Sequence, residues 1–408
     1  MKKYDVAAYI WPAYTGEEPR TIPFWPEKYG EWQTVKNSKP KANGYFWNRK
    51  PLWGYVNEAN PAIMEMEIEE AVRHGVNVFI YDWYWFDGRP FLENCLDNGF
   101  LKARNRNKMK FYLMWANHSA NQWWDIRVSD DPSCDIWDGA VNRANFDVVC
   151  DRVIEKYFKQ ENYYKINGKP VFMIYDINNL VRGLGGMEQT KEALECFRNK
   201  VKAAGFPDLD LQMTIWSESA LNLSGFDANH VGSTKDFVDI LGFDSISHYQ
   251  FAHFNNMGDD YLNILENVKK EWARIDKDYK VPYYPHVSLG WDNNPRFYGF
   301  KPDICYNNTP ENVEKAFRMA KDYLDAHPDV HPLVTVNSWN EWTETSYLQP
   351  PSHERLCGPA VGPVRLFGRR GQLCAGGAAL QFLRPAGDPG GDPGLRPDDR
   401  LFHPVGRL

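Results

Sequence analysis

Short β-rich runs, each emptying into polar or aromatic residues and followed by a helical pattern, recur along this chain, and that recurrence limits what it can fold into. The runs lie at Tyr4–Tyr9, Val76–Tyr81, Lys110–Met114, Pro170–Ile174, Leu211–Ile215, Ile240–Phe243, Tyr283–Val287 and Leu333–Val336. Helical patterns lie between them: Pro61–His74 with Asn60 as N-cap and Gly75 as stop, a stretch within Pro90–Asn107, Asn145–Tyr164, Glu188–Ala204 stopped by Gly205, Asp259–Tyr279, and Pro310–Ala326 capped by Thr309. Eight such units predict a closed (β/α)8 barrel of the TIM type, whose ligand-facing groups gather at the C-terminal ends of the strands. An open doubly wound sheet competes, but it usually carries a glycine-rich phosphate loop. No G-x-G-x-x-G follows any strand here, and Gly183, Gly185 and Gly186 read as a plain loop.

The first connection is unusual. Residues 11–60 are rich in Trp, Pro and Gly and carry Trp25, Trp32, Trp47 and Trp53, too long a stretch for an ordinary βα loop, so it reads as a lid or wall. Aromatics make up 15% of the 408 residues, and many of the 16 Trp stand beside strand ends, which favours a carbohydrate platform over core filling. A formal net charge of −7 and no long basic stretch before residue 350 leave nucleic acid and anionic membrane surfaces without electrostatic support. Seven Cys, an odd number at irregular spacing, give neither a disulfide framework nor a zinc knuckle. The N-terminal MKKYDVAAYIWPAY lacks the apolar core of a leader peptide, and no stretch is long enough to span a membrane. The chain as written reads as cytoplasmic, or as periplasmic or secreted if a leader has been removed; its oligomeric state is left open.

The expected strand ends carry Asp82, Trp83, Tyr84, Trp115, Asn117, His118, Tyr175, Asp176, Trp216, Glu218, His248, Tyr249 and Trp291, a set suited to binding an oligo- or polysaccharide. The eighth run opens into LVTVNSWNEWTETSYLQP, where Asn340 and Trp342 flank Glu341 and Glu344. Aromatic faces stack on pyranose C–H surfaces, and a carboxyl pair supplies the acid and base that glycosidic bonds require. If the residues after this strand turn helically, the two glutamates share a face with Cβ atoms about 5 to 6 Å apart, closer to a retaining than to an inverting pair. Mutual repulsion and nearby indole then raise one pKa, giving a neutral acid beside an ionised base, though spacing does not say which is which. A metal site built from His118, His248 or His286 lacks any H-x-x-x-H spacing, and no G-x-S-x-G elbow supports a serine nucleophile. No cofactor is expected.

From about Ser352 the composition changes. Lys, Asn, Ile, Tyr, Trp, Thr and Met vanish, and Gly, Pro, Arg and Ala dominate. Residue types with AT-rich codons disappear together, so residues 352–408 read as a shifted frame or as otherwise foreign to a catalytic barrel formed by residues 1–351; a natural disordered tail is the alternative. The segment falls where the eighth helix should pack, and its Pro and Gly content makes that helix missing or replaced, with reduced stability as the expected result.

Three segments carry a family resemblance: RKPLWGYVNEANPAIMEMEIEEAVRHGVNVFIYDWYWFDGRPFLENCLDN, FYLMWANHSANQWWD and VNSWNEWTETSYLQP. Together they resemble the glycoside hydrolase family 99-like group, including WbsX-type glycosyltransferases and, more distantly, the endo-α-mannosidases, in matching order over residues 4–350. The resemblance implies a (β/α)8 barrel, no metal, and retaining cleavage of an α-linked, manno-configured glycan by the two Glu of an E-W-x-E motif. It casts Glu341 as the base that deprotonates the sugar 2-hydroxyl, making a 1,2-anhydro sugar, and Glu344 as the acid that protonates the leaving oxygen. Thr345 departs from the pattern, since relatives commonly have Gly there. The alternatives are a WbsX-type glycosyltransferase of surface polysaccharide synthesis, against which the lack of a D-x-D motif counts, and a non-catalytic carbohydrate-binding protein.

Overall fold

In a computed structural model, residues 4–352 are described except 17, 46, 48, 122–123, 126–134 and 219–231. Parallel strands follow one another round one sheet: β1 (Asp5–Ile10), β2 (Val78–Phe86), β3 (Lys110–Trp115), β4 (Lys169–Ile174), β5 (Asp210–Thr214), β6 (Ser245–Ser247), β7 (Tyr283–Tyr284 with His286–Ser288) and β8 (Leu333–Asn337). Closure depends on Pro285. The half of β7 before it pairs with β6, the half after it pairs with β8, and β8 in turn pairs with β1. Proline has no N–H to give, but the Pro285 carbonyl accepts from Thr335 N at 3.1 Å, so the strand changes partner without leaving the sheet. The chain is therefore a (β/α)8 barrel.

Side-chain direction alternates along each strand. One parity points into the barrel, where residues of non-adjacent strands meet: Tyr9 Oη lies 3.4 Å from Met173 Sδ, Tyr112 Oη donates to Gln212 Oε1 at 3.1 Å, and Ser247 Oγ meets Thr335 Oγ1 at 2.9 Å. The other parity meets the helices. Phe172 packs on Phe197 of Met187–Ala203, and Trp115 packs on Phe146 of Arg143–Val153.

Three expectations need adjustment. Ile240–Phe243 is not a strand: Thr234–Leu241 is a helix started by a capping box between Ser233 and Asp236 and ended by Gly242 in the left-handed conformation, and the strand follows at Ser245. Of that run, Leu241 lies on the buried face of the helix and Phe243 is buried just beyond its end. The helix expected within Pro90–Asn107 is present but irregular: a wide π turn at Cys95–Gly99 runs straight into a 3-10 turn at Phe100–Lys102, and a second 3-10 turn follows at Arg106–Lys108. The second strand runs on through Asp82–Phe86 and folds back against Arg89–Phe91. By contrast, Asn60 caps Pro61–Arg73 by accepting from Ala62 N, and Thr309 caps Pro310–Ala326. The expectations for residues 353–408, including a replaced eighth helix, lie outside the described residues.

The long first connection packs as a wall with its own aromatic core. Tyr14 stacks on Trp32 at 3.9 Å, and Trp32 reaches Trp342 beyond β8. Gly30 has φ +64°, and a Cβ there would sit 1.8 Å from the Ala13 carbonyl oxygen, so this close approach requires glycine. Among the described residues no helix is long and apolar enough to cross a membrane.

Candidate active site

Inward parity, continued past the strand ends, builds one cavity of about 390 Å3 at the C-terminal rim, within the range of small-ligand sites. Tyr9 is followed by Trp11, Met114 by Ala116, Met173 by Tyr175, Thr214 by Trp216 and Ser247 by Tyr249, and each second member lines the cavity, as do Asp82 and Tyr84. His118, Asp176, Trp291, Glu341 and Glu344 complete the expected residues found there.

After β8 the Asn337–Ser338 peptide is cis, Asn340–Glu341 pairs antiparallel with Ser346–Tyr347, and Trp342–Glu344 makes a single helical turn. Ser338 Oγ accepts from Glu341 N and donates to the Ser346 carbonyl, both at 2.7 Å, which fixes the turn. Glu341 and Glu344 thus face one cation. Arg296, from the loop after β7, donates Nη2–H to Glu341 and Nη1–H to Glu344, each at 2.7 Å, and Nε–H to Glu31 at 3.1 Å. Glu31 is fully buried in the wall and also accepts from Trp11 Nε1 at 2.5 Å. Burial works against the charge on Arg296, but the three carboxylates outweigh it and hold the guanidinium charged. Burial, reinforced by Glu344, pushes the Glu341 carboxyl well up; burial also raises Glu344, opposed by Arg296.

Asp82 forms a second acidic point. Its Oδ2 accepts from Tyr249 Oη at 3.0 Å, its Oδ1 has no protein partner, and burial raises its pKa. His118 bonds the Ser119 carbonyl through Nδ1 at 2.9 Å; a carbonyl only accepts, so Nδ1 carries the proton. Burial lowers the His118 pKa, which leaves Nε2 as an acceptor. Trp216 lies flat on His253, centroids 3.5 Å apart, and donates to the Tyr175 carbonyl.

The remaining expected residues lie elsewhere, mostly by parity. Trp83 and Trp115 point to the helix layer, where Trp83 Nε1 donates to Glu93. His248 bonds Tyr283 Oη among helix-facing rings. Glu218 accepts from Thr234 N at a helix start. Asn117 braces Asp176 from behind with two backbone bonds of 2.7 Å. Asn340 and Trp342 are buried behind the glutamates, Asn340 joined to Trp11 and Trp342 to Gln349. Trp11, Glu31, Trp124, Arg296 and Phe297 were not anticipated. The abundant Trp accordingly divide between the cavity and packing, with Trp25, Trp32, Trp115 and Trp342 fully buried. Among the described residues no group of three His, Cys, Asp or Glu could hold a metal ion.

A (β/α)8 barrel with buried glutamates on its C-terminal rim defines a glycosidase-like fold. The chain belongs to the Glycosyltransferase WbsX family, which matches residues 7–356. Two relatives, each described as uncharacterized protein WxcX and from two strains of Xanthomonas campestris pv. campestris, are 24% identical over 336 residues, 81% of this chain but 45% of theirs. The chain thus spans about half the length of the relatives it matches. Among solved structures, the glycoside hydrolase family 99 endo-α-mannosidase of Bacteroides thetaiotaomicron superposes with a TM-score of 0.52 at 13% identity, covering 93% of this chain and 95% of that one. A glycoside hydrolase-like protein gives 0.53 at 16% identity, covering 94% and 93%. These likenesses are likenesses of fold.

Proposed function

We propose that the protein is a retaining glycoside hydrolase acting on an α-linked, manno-configured glycan through Glu341 and Glu344. The observation that carries this reading is the arrangement of two buried glutamates on one cavity rim, each bonded to a different nitrogen of Arg296. Glu341, ionised, takes the proton of the sugar 2-hydroxyl; O2 attacks the anomeric carbon, and the glycosidic bond breaks as Glu344 protonates the leaving oxygen. Glu344 then takes a proton from water, which attacks the anomeric carbon and opens the 1,2-anhydro ring, while Glu341 returns its proton to O2.

The assignment of the two roles follows the family resemblance; burial raises both carboxyls, and Arg296 opposes the rise at each. Glu341→Gln and Glu344→Gln should each lower turnover on a panel of α-mannans and bacterial surface polysaccharides by about 10²–10⁴-fold or more, with unchanged circular dichroism. Near-normal turnover in both variants ends this assignment. The family's description favours a second reading, glycosyl transfer; transfer from a nucleotide sugar without hydrolysis of any glycan in the panel would select it.

A further inference from the structure

Behind the turn that carries Glu341 lies a compartment holding two more carboxyls, Glu58 and Glu67, both fully buried. Glu58 Oε2 accepts from Asn340 Nδ2 at 2.9 Å, and its Oε1 accepts from Gln349 Nε2 at 3.0 Å. Glu67, on the helix Pro61–Arg73, accepts from Trp339 Nε1 through Oε2 at 2.9 Å, while its Oε1 has no partner. The residues they grip, Trp339 and Asn340, are the two that precede Glu341. Asn340 also clamps Trp11, accepting from its N–H at 2.7 Å and donating to its carbonyl at 2.8 Å, and Trp11 lines the cavity.

Every donor to these acids is neutral. The titratable groups facing them are Cys95 from the turn after β2, Tyr81 from β2 and Tyr14 from the wall, with Glu31, Glu341 and Arg296 beyond Tyr14; the cation among them, Arg296, is bonded to Glu31, Glu341 and Glu344 and not to this pair. Two carboxylates cannot both ionise in such a place without a counter-charge.

We propose that Glu58 and Glu67 are a positioning pair that holds one proton between them at neutral pH and, through Trp339 and Asn340, seats both Glu341 and Trp11. Loss of that proton puts two like charges behind the turn and loosens its grip. Burial pushes Glu67 up to about 7 and Glu58 well above its usual range, so the pair still holds a proton at neutral pH and sheds it as the pH rises further. The inference rests on the glycosidase reading only for its catalytic consequence.

The test needs no substrate. Indole Nε1–H resonances of the full chain, labelled with ¹⁵N-tryptophan and assigned by single Trp→Phe variants, are followed from pH 5.5 to 8.5 in the wild type, Glu67→Gln and Glu58→Gln. Trp339, bonded to Glu67, and Trp11, in the cavity, should move with one shared midpoint in the wild type, and that shared step should vanish in both variants. The proposal is overturned if Trp339 does not titrate, if Trp11 stays still while Trp339 moves, or if the Trp11 step survives in either variant. A purely structural role for the pair would leave Trp11 with only the response of its own acceptor Glu31, at a midpoint that neither variant removes. Loss of activity in Glu341→Gln has no bearing on these resonances, so failure here and failure of the glycosidase reading are separable.

Discussion

One guanidinium facing three carboxylates makes Arg296 the residue on which the site's charge balance turns. Arg296→Met would leave buried carboxylates uncompensated and should cost about 3–5 kcal/mol, read as a lower midpoint in urea. Adding Glu31→Gln should recover part of that loss; a double variant no more stable than Arg296→Met alone would count against the pairing. Arg296→Lys keeps a charge but not the planar fork, so it should fold better than the Met variant yet hold at most two of the three acids. This residue was hidden in the sequence because attention to strand ends favours the first few positions after each run, and Arg296 lies eight residues beyond the end of β7. Its signal was available in principle, since two buried acids require a cation and few Arg stand in the loops at that rim.

At the scale of single elements, alternation explains most of what was and was not legible. Runs of apolar residues located nearly every strand, and the caps Asn60 and Thr309 located the starts of two helices to the residue. Which side chains faced the ligand required the parity of each strand as well, and Trp83, Trp115 and His248 stand on the wrong parity for the cavity. The wall and the turn that carries the two glutamates meet at Thr345, which sits at φ +59°, a region a β-branched residue enters at a cost of about 1–2 kcal/mol. Its Oγ1 accepts from Trp47 Nε1 at 2.9 Å and donates to the Asp292 carbonyl at 3.2 Å. Thr345→Ala loses both bonds and keeps the strained backbone, whereas Thr345→Gly loses the bonds but relieves the strain. The Ala variant should therefore be the less stable of the two in chemical denaturation, and the reverse order would show that the backbone at this position is not strained.

For the whole molecule, the balance of raised carboxyls sets how stability depends on pH. Burial pushes Glu18 and Glu67 up to about 7 and Asp210 up to about 6. Each such group binds more protons folded than unfolded above the ordinary carboxyl range, so its stabilisation is complete below that range, erodes as pH rises and is gone above the folded pKa. The thermal midpoint should accordingly fall between about pH 5 and pH 8. Asp5, held low by His331, Tyr164 and Asn77 against its burial, gives an opposite loss on the strongly acidic side. A midpoint flat from pH 5 to pH 8 would contradict the first part. The barrel itself was legible because repetition of βα units is a property of the entire sequence, whereas the break at Pro285 depends on which neighbour each half-strand finds.

The wall facing the glutamates comes from one uninterrupted piece of chain, inserted between β1 and the helix Pro61–Arg73. Because both ends of that piece join regular elements of the barrel, its interior can change in length and sequence without disturbing the strand register. Under the proposed function, a graft of residues 11–60 from another member of the family should therefore change which glycan is accepted while the barrel still folds; an unchanged preference in a folded graft would remove this wall from the determinants of specificity.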